Sequence, residues 1–575
     1  MDRTHLLNKL WEYQHQFRFI SNEAVSEISK KLNVSNIEVE SVISFYHFLH
    51  KKPTGKHTIY LNNSIISDMK GFDAVKNAFE KETGCNFEEY GSNEFTLFET
   101  SCIGMSDQEP AALINFQPFT NLTPKKVKII INKIRNGEDV KDFANKTISK
   151  IQYTPSADKT VIFRDYTLGK SIREGIKFTP QEIIDKIYKS KLKGCGGAFF
   201  DVGYKWQSCK KNEDDAKYII CNADEGEPGT FKDRAIFQHL PGLVIEGMIL
   251  AGYATGAKEG IIYLRAEYQF FKPKLDELIA EFYSKNLLGK NILEVEGFDF
   301  EIRIQLGAGS YVCGAASGLI ESMEGRRGEP PVRTWSATKH GFKQKPTVVN
   351  NVESLAYAAR VIELGEDFFL SMGTPETPGT KLISISGDVA KPGIYEIEYG
   401  TSIRELLGIE MSQATAPYFV QVSGPSGEPV GPSEFDRKIC MEDILCGGSF
   451  MVFNRTRDIL HILRNFMEFF KEESCGVCTP CRAGNFILNE KVKKMQRGLA
   501  SETEVEEIKK WGNIIKMSSR CGLGKSSPNS LIYSLDKFKD YFNLKIAPDS
   551  ELQYVEFDME AAVSEFDSII KDTQL

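Results

Sequence analysis

Residues 473–485 read "ESCGVCTPCRAGN", and forty residues past the last of these cysteines "SSRCGLGKSSPN" supplies a fourth. Three thiolates spaced C-x2-C-x2-C converge on one face of a cubane, and one remote cysteine closes it. Zinc also accepts C-x2-C pairs, but its knuckles usually join two pairs. The triple-plus-one arrangement of Cys475, Cys478, Cys481 and Cys521 favours a [4Fe–4S] cluster and thus an electron-relay site. The chain has twelve cysteines, the others scattered. In a large chain with no visible secretion signal, clustered cysteines are metal ligands or redox groups more often than disulfides.

At 575 residues the chain exceeds a single core, and about three or four domains are expected. A net charge of −8 argues against a nucleic-acid or anionic-membrane partner, which calls for a basic excess. The opening "MDRTHLLNKLWEYQHQ" has no apolar run. The greasiest stretch, "GLVIEGMILAGYATGA", is too short to span a bilayer and carries Glu246. These features predict a cytoplasmic protein without membrane insertion.

Apolar spacing predicts helices over the first fifty or so residues, with Ser35 and Glu38 forming a capping box. "KHTIYLN" and "EFTLFET" read as strands flanking a helix, which closes a small α/β unit near residue 150. Strand-then-loop units follow at "KYIICNADEGEPG" and "EGIIYLRAEY", separated by an apolar helix. Residues 380–445 are rich in strands and turns, and amphipathic helices run from 456 onward. The loop "KGCGGAFFDVGYKW" (193–206) has the glycines of a phosphate cradle, with Lys205 downstream to meet charge. Phe199 and Phe200 crowd the same loop.

With these residues in view, the chain resembles the flavin-containing diaphorase subunit of soluble NAD-reducing [NiFe] hydrogenases. That subunit is related to the NADH-oxidising subunit of respiratory complex I. "CNADEGEPGTFKDR" (221–234), "GAGSYVCG" (307–314), "KPTVVNNVES" (345–354), the cysteine string and "SRCGLG" (519–524) occur in family order. The N-terminal "SFYHFLHKKPTGKHTIYLNNS" and "CIGMSDQEPA" resemble the thioredoxin-like extension of the hydrogenase subunit. The resemblance implies an α/β multidomain chain: a helical and thioredoxin-like part (1–150), a Rossmann-like FMN/NAD-binding domain (151–372), a ubiquitin-like β module (373–450) and a helical bundle carrying the cluster (451–575). It implies an NAD(P)H-dependent oxidoreductase subunit that passes electrons between NAD(H) or NADP(H), FMN and a [4Fe–4S] cluster. Its partners would be other subunits of a hydrogenase-type complex, including an iron–sulfur relay subunit. Carried over by residue, Gly194, Gly196, Gly197 and Lys205 would cradle the FMN, and Asn222, Asp224 and Glu225 would hydrogen-bond it. Glu227 would face the nicotinamide as the catalytic residue, with Tyr311, Gly314, Asn350 and Asn351 completing the pocket.

Several positions depart from the family pattern. Where complex I relatives place four cysteines for a [2Fe–2S] cluster, this chain has Asn62, Ser67, Cys102 and Ser106, and one thiolate cannot hold two irons. In the glycine loop Cys195 stands for an arginine and Phe199 for a glycine. Ala315 and Ala316 stand for two acidic residues, and "RTWSA" (333–337) replaces a proline-rich string. Two readings follow. In one the pocket is retuned, with Arg326, Arg327, Arg333 and Lys339 available to a 2′-phosphate. In the other it is degenerate, and the subunit serves electron relay or assembly alone.

Overall fold

The computed structural model describes residues 2–332, 336–410, 417–547 and 564. The N-terminus is helical: α1 (Leu6–Phe17), α2 (Asn22–Leu32) and α3 (Asn36–Ile43). Ser35 caps α3, and Glu38 returns its carboxylate to the Ser35 backbone, as the S-x-x-E spacing predicts. Strands β1 (His57–Asn62), β2 (Phe95–Thr100), β3 (Ala112–Ile114) and β4 (Gln117–Phe119) then form a sheet ordered β2-β1-β3-β4. The β1–β2 pair is parallel, with helix α4 (Phe72–Thr83) in the crossover, as βαβ geometry demands.

After the short strand β5 (Ile151–Tyr153), the chain enters a wholly parallel sheet. Its strands are β6 (Tyr218–Ala223), β7 (Glu259–Leu264), β8 (Glu301–Leu306) and β9 (Thr347–Asn351), in the order β8-β7-β6-β9. Helix α5 (Val202–Lys211) precedes β6, and α6 (Lys232–His239) and α7 (Pro241–Thr255) follow it. Helix α7 is apolar on nearly every face because it is buried on nearly every face. Its Glu246 is 1% exposed and accepts from Tyr166 Oη (2.7 Å), Gly169 N (2.7 Å) and Ser171 N (3.0 Å). Among the described residues no single helix is long and apolar enough to cross a membrane. Helix α8 (Val352–Leu364) leaves β9 directly and crosses α7 so closely that a Cβ on Gly247 would lie 2.1 Å from Leu355 O.

The β module contributes β10 (Thr380–Gly387), β11 (Gly393–Glu398), β12 (Phe419–Val422), β13 (Glu428–Val430) and β14 (Ser449–Phe453). Its sheet order is β13-β12-β14-β10-β11-β5, so its edge strand comes from residues 151–153, ahead of the parallel domain. The C-terminal bundle contains α9 (Ile459–Glu472), α10 (Thr479–Gln496), α11 (Glu502–Ser518) and α12 (Gly522–Ser526). One apolar core joins Leu6 and Leu10 of α1, Val312 and Leu319 of the segment after β8, and Phe466 of α9 to Leu531 and Phe542. The first helices and the bundle therefore share a core across the parallel domain.

Candidate functional site

Parallel strands leave their carboxyl ends free for a ligand, and here adjacent β6 and β9 end on amides. Asn222 pairs with Asn351, and Cys221 with Asn350, in register. The Asn222 amide donates to Gly314 O (2.8 Å), and its oxygen accepts from Asp224 N (3.1 Å). Asn351 caps α8 through Glu353 N (3.0 Å) and donates to Asp233 (2.6 Å). Trp206 Nε1 holds the Asn350 oxygen at 3.0 Å. The Asn350 amide nitrogen and Asp224 Oδ2 are buried with no hydrogen-bond partner among the described residues. A buried polar atom left unpaired in this way is a place for a polar ligand. Burial pushes the Asp224 carboxyl up to about 8.

The glycine loop closes over these strand ends. Lys193 and Asp201 bridge, Gly194 N donates to Phe200 O (2.8 Å), and Cys195 N donates to Ser354 Oγ (2.8 Å). A side chain at Gly196 would crowd Asn351 Cβ at 3.3 Å, so the loop rests on the asparagine pair. Gly197, at φ +95°, faces open space. Phe199 takes φ +50°, the left-handed conformation a glycine adopts freely, and is buried, whereas Phe200 is exposed and packs its ring 5.6 Å from Tyr204. Lys205 Nζ reaches Val349 O (2.7 Å), and burial lowers its pKa to about 8.

Glu227 lies between domains. Its carboxylate accepts from Tyr311 Oη, Ser426 Oγ (2.9 Å) and Ser426 N (2.9 Å), and burial raises its pKa to about 7. Ser426 belongs to the β module and was invisible to motif reading, because only tertiary folding brings it to Glu227. Glu225, expected to hydrogen-bond the flavin, also braces the chain itself. Its carboxylate accepts Asp233 N (2.9 Å), Arg234 N (3.3 Å) and Tyr268 Oη (2.9 Å), bracing the start of α6. Beneath the strand ends Lys232, Asp233, Glu353 and Lys381 form a buried alternation of charge, with Lys232–Asp233 at 2.6 Å and Lys381–Glu353 at 2.5 Å.

The four sequence-selected cysteines come together. Cys475, Cys478, Cys481 and Cys521 ring one small pocket, closed by Val312, Pro330, Val477, Arg520 and Leu523. Cys478 and Cys521 stand at the N-terminal ends of α10 and α12, and Gly476 takes φ +76° in the turn between the first two cysteines. Ser474 Oγ and Asn485 Nδ2 approach Cys481 Sγ at 3.3 and 3.4 Å. Burial pushes the Cys481 thiol up to about 12. Among the described residues no three Cys, His, Asp or Glu side chains converge on a single-ion position. Four thiols spaced around a common pocket suit a polynuclear cluster better than one zinc ion.

Segment 310–314 joins the two regions. Tyr311 reaches Glu227, Val312 lines the thiol pocket, and Gly314 O accepts from Asn222. Tyr311 N also donates to Glu473 Oε2 (2.8 Å), two residues before Cys475. At the positions that match the [2Fe–2S] cysteines of complex I relatives, Asn62, Ser67, Cys102 and Ser106 are all buried. Asn62 contacts Glu109, Cys102 Sγ lies 3.7 Å from Ser106 Oγ, and burial raises Glu109 to about 8. Of the cations considered for a 2′-phosphate, Arg326 is held by Glu321 and Glu324, and Arg327 by Glu329 at 2.6 Å. Arg333 lies outside the described residues.

Three family profiles match in chain order. They are a thioredoxin-like [2Fe-2S] ferredoxin over residues 1–135, the Nuo51 FMN-binding domain over 187–360, and the NADH-ubiquinone oxidoreductase-F iron-sulfur binding region over 461–545. The NAD-reducing hydrogenase HoxS subunit alpha of Cupriavidus necator is 42% identical, covering 100% of this chain and 97% of its own. The NADP-reducing hydrogenase subunit HndC of Solidesulfovibrio fructosivorans is 36% identical over 68% of this chain and 81% of its own. A crystal structure of an H2-reduced NAD+-reducing [NiFe]-hydrogenase contains a chain that superposes with a TM-score of 0.89 at 31% identity, covering 99% of this chain and 97% of that one. The chain belongs to the family of NAD-reducing hydrogenase alpha subunits, and it carries that family's FMN-binding domain and iron–sulfur binding region.

Proposed function

We propose that the chain is the diaphorase subunit of a multi-subunit, cytoplasmic oxidoreductase, exchanging electrons between NAD(P)H and a [4Fe–4S] cluster by way of FMN. The carrying observation is segment 310–314, which touches the strand-end pocket with Tyr311 and Gly314 and the thiol pocket with Val312. FMN supplies the conversion between two-electron hydride chemistry and the one-electron chemistry of an iron–sulfur site.

Within that reading Gly194, Gly196, Gly197 and Lys205 form the phosphate side of the pocket. The unpaired Asn350 amide and Asp224 oxygen would be available to the polar groups of FMN, as would Asn222, Asn351 and Gly314. Glu227 is the residue set towards the nicotinamide, and with a pKa of about 7 it holds or yields a proton near neutrality. Tyr311 and Ser426 fix its orientation. Cys475, Cys478, Cys481 and Cys521 hold the cluster. Glu225 acts one step back, through the α6 backbone. The division at about residues 150, 372 and 450 belongs to the same proposal. So do the iron–sulfur relay subunit expected beside it and the assembly as a hydrogenase-type complex.

The test is anaerobic addition of NADH or NADPH to the iron-replete, FMN-loaded protein. Bleaching of the flavin bands followed by a reduced-cluster EPR signal is expected. A flavin that bleaches while the cluster stays oxidised, or no bleaching with either dinucleotide, overturns the reading.

A further inference from the structure

The thioredoxin-like domain reaches the flavin side of the molecule through the loop 102–109. Arg265, just after β7, donates to Cys102 O (2.8 Å) and to Glu225 O, and its own backbone N–H pairs with Ala223 O (3.2 Å). Arg234, on α6, is 0% exposed; its guanidinium donates to Gly104 O and binds Asp107 Oδ1 at 2.6 Å. Gly104 takes φ +73°, and a Cβ there would stand 2.1 Å from Tyr268 Oη. That same hydroxyl donates to Glu225 Oε2 (2.9 Å). Three buried links from the first domain thus end on residues 223–234.

The loop is firm enough to act as a fixed body. Asn62 binds Glu109 and Ser64, Gly104 N donates to Cys102 Sγ (3.4 Å), and Cys102 Sγ meets Ser106 Oγ (3.7 Å). Two buried guanidinium groups are stable only while their acceptors stay in place. Any shift of the loop is therefore transmitted to Arg234 and Arg265, and from them to Glu225 and the backbone around Asp224.

We propose that this loop, filled with polar side chains where a metal cluster would need thiolates, positions the flavin-contact string, with Arg234, Arg265 and Asp107 as positioning residues. The inference rests on the flavin-binding reading above. It makes the first domain part of the flavin site without contributing a ligand to it.

FMN titration of the full-length, flavin-stripped chain tests this, read by flavin fluorescence quenching. Asp107→Asn, nearly isosteric but without charge, is expected to raise the FMN Kd at least tenfold and to move the flavin midpoint potential. Far-UV circular dichroism and the cluster EPR signal should stay as in wild type. Asp107→Glu, which keeps the ion pair, is expected to bind FMN within threefold of wild type. An Asp107→Asn protein that binds FMN within twofold of wild type overturns the proposal. Should Asp107→Asn fail to fold, Arg234→Lys decides on the same tenfold and twofold thresholds. Failure of the wild type itself to bind FMN would instead sink the functional reading.

Discussion

At the scale of single residues, the cysteines give the sharpest expectation. Cys478→Ser or Cys521→Ser should abolish the iron–sulfur EPR signal and loosen the bundle, because cluster binding contributes folding free energy there. Cys440, buried in the β module away from the thiol pocket, should tolerate serine with iron and sulfide content unchanged. Glu227 yields a pH expectation. Its folded pKa of about 7 lies above the ordinary value of 4.5, so the native state binds more protons than the unfolded state between those values. The stability it contributes is present in full below about pH 4.5 and is lost as pH rises through about 7. In the flavin-stripped protein, Glu227→Gln should therefore gain in Tm relative to wild type as pH is raised across that window. A difference in Tm that stays flat with pH contradicts the assignment. Cysteine spacing was legible because three thiols two residues apart have few other uses. That the Glu225 carboxylate turns to the backbone of α6 and to Tyr268 was not legible, because sequence order cannot show which way a carboxylate turns.

At the scale of elements, the glycine loop and the α7–α8 crossing decide how well the pocket is held. Phe199 keeps a left-handed backbone while burying its ring. Phe199→Gly removes a conformational cost of roughly 1–2 kcal/mol but forfeits burial of about 3–5 kcal/mol. Urea unfolding should show a net loss of about 1–4 kcal/mol, with FMN stoichiometry no higher than wild type. A rise in flavin occupancy would show that the ring obstructs the site. Gly247→Ala should force α7 from α8, since its methyl would meet Leu355 O at 2.1 Å. A loss of about 1–3 kcal/mol is expected from overpacking, with weaker FMN binding because Asn351 caps α8. The capping box at Ser35, the βαβ unit around α4 and the strand that carries Asn222 were readable from local pattern, whereas the strand 347–351 was met only as part of a family motif. Ser426 beside Glu227 was not readable, because the contact spans 199 positions and no local signal encodes it.

At the scale of the whole molecule, the shared core sets what can be removed. Residues from α1 pack in one apolar cluster with α9 and the bundle, while the thioredoxin-like sheet also has a core of its own around Ile59, Leu97 and Ile131. A chain lacking residues 1–150 should expose that shared surface, bind a hydrophobic dye and lose Tm, rather than behave as an independent flavoprotein. Dye binding equal to that of the full-length chain would show that the domains are separable. Length alone announced several domains, but not that the edge strand of the β module is drawn from ahead of the parallel domain. That strand has a consequence for biogenesis. Ile151 must wait for Ile394, its partner, to leave the ribosome. At about 5–20 residues per second, that delay is on the order of 10–50 s. Throughout it the nascent chain carries an unpaired strand edge, so the β module closes late in synthesis, after the flavin domain has emerged, and a chaperone has an opportunity there.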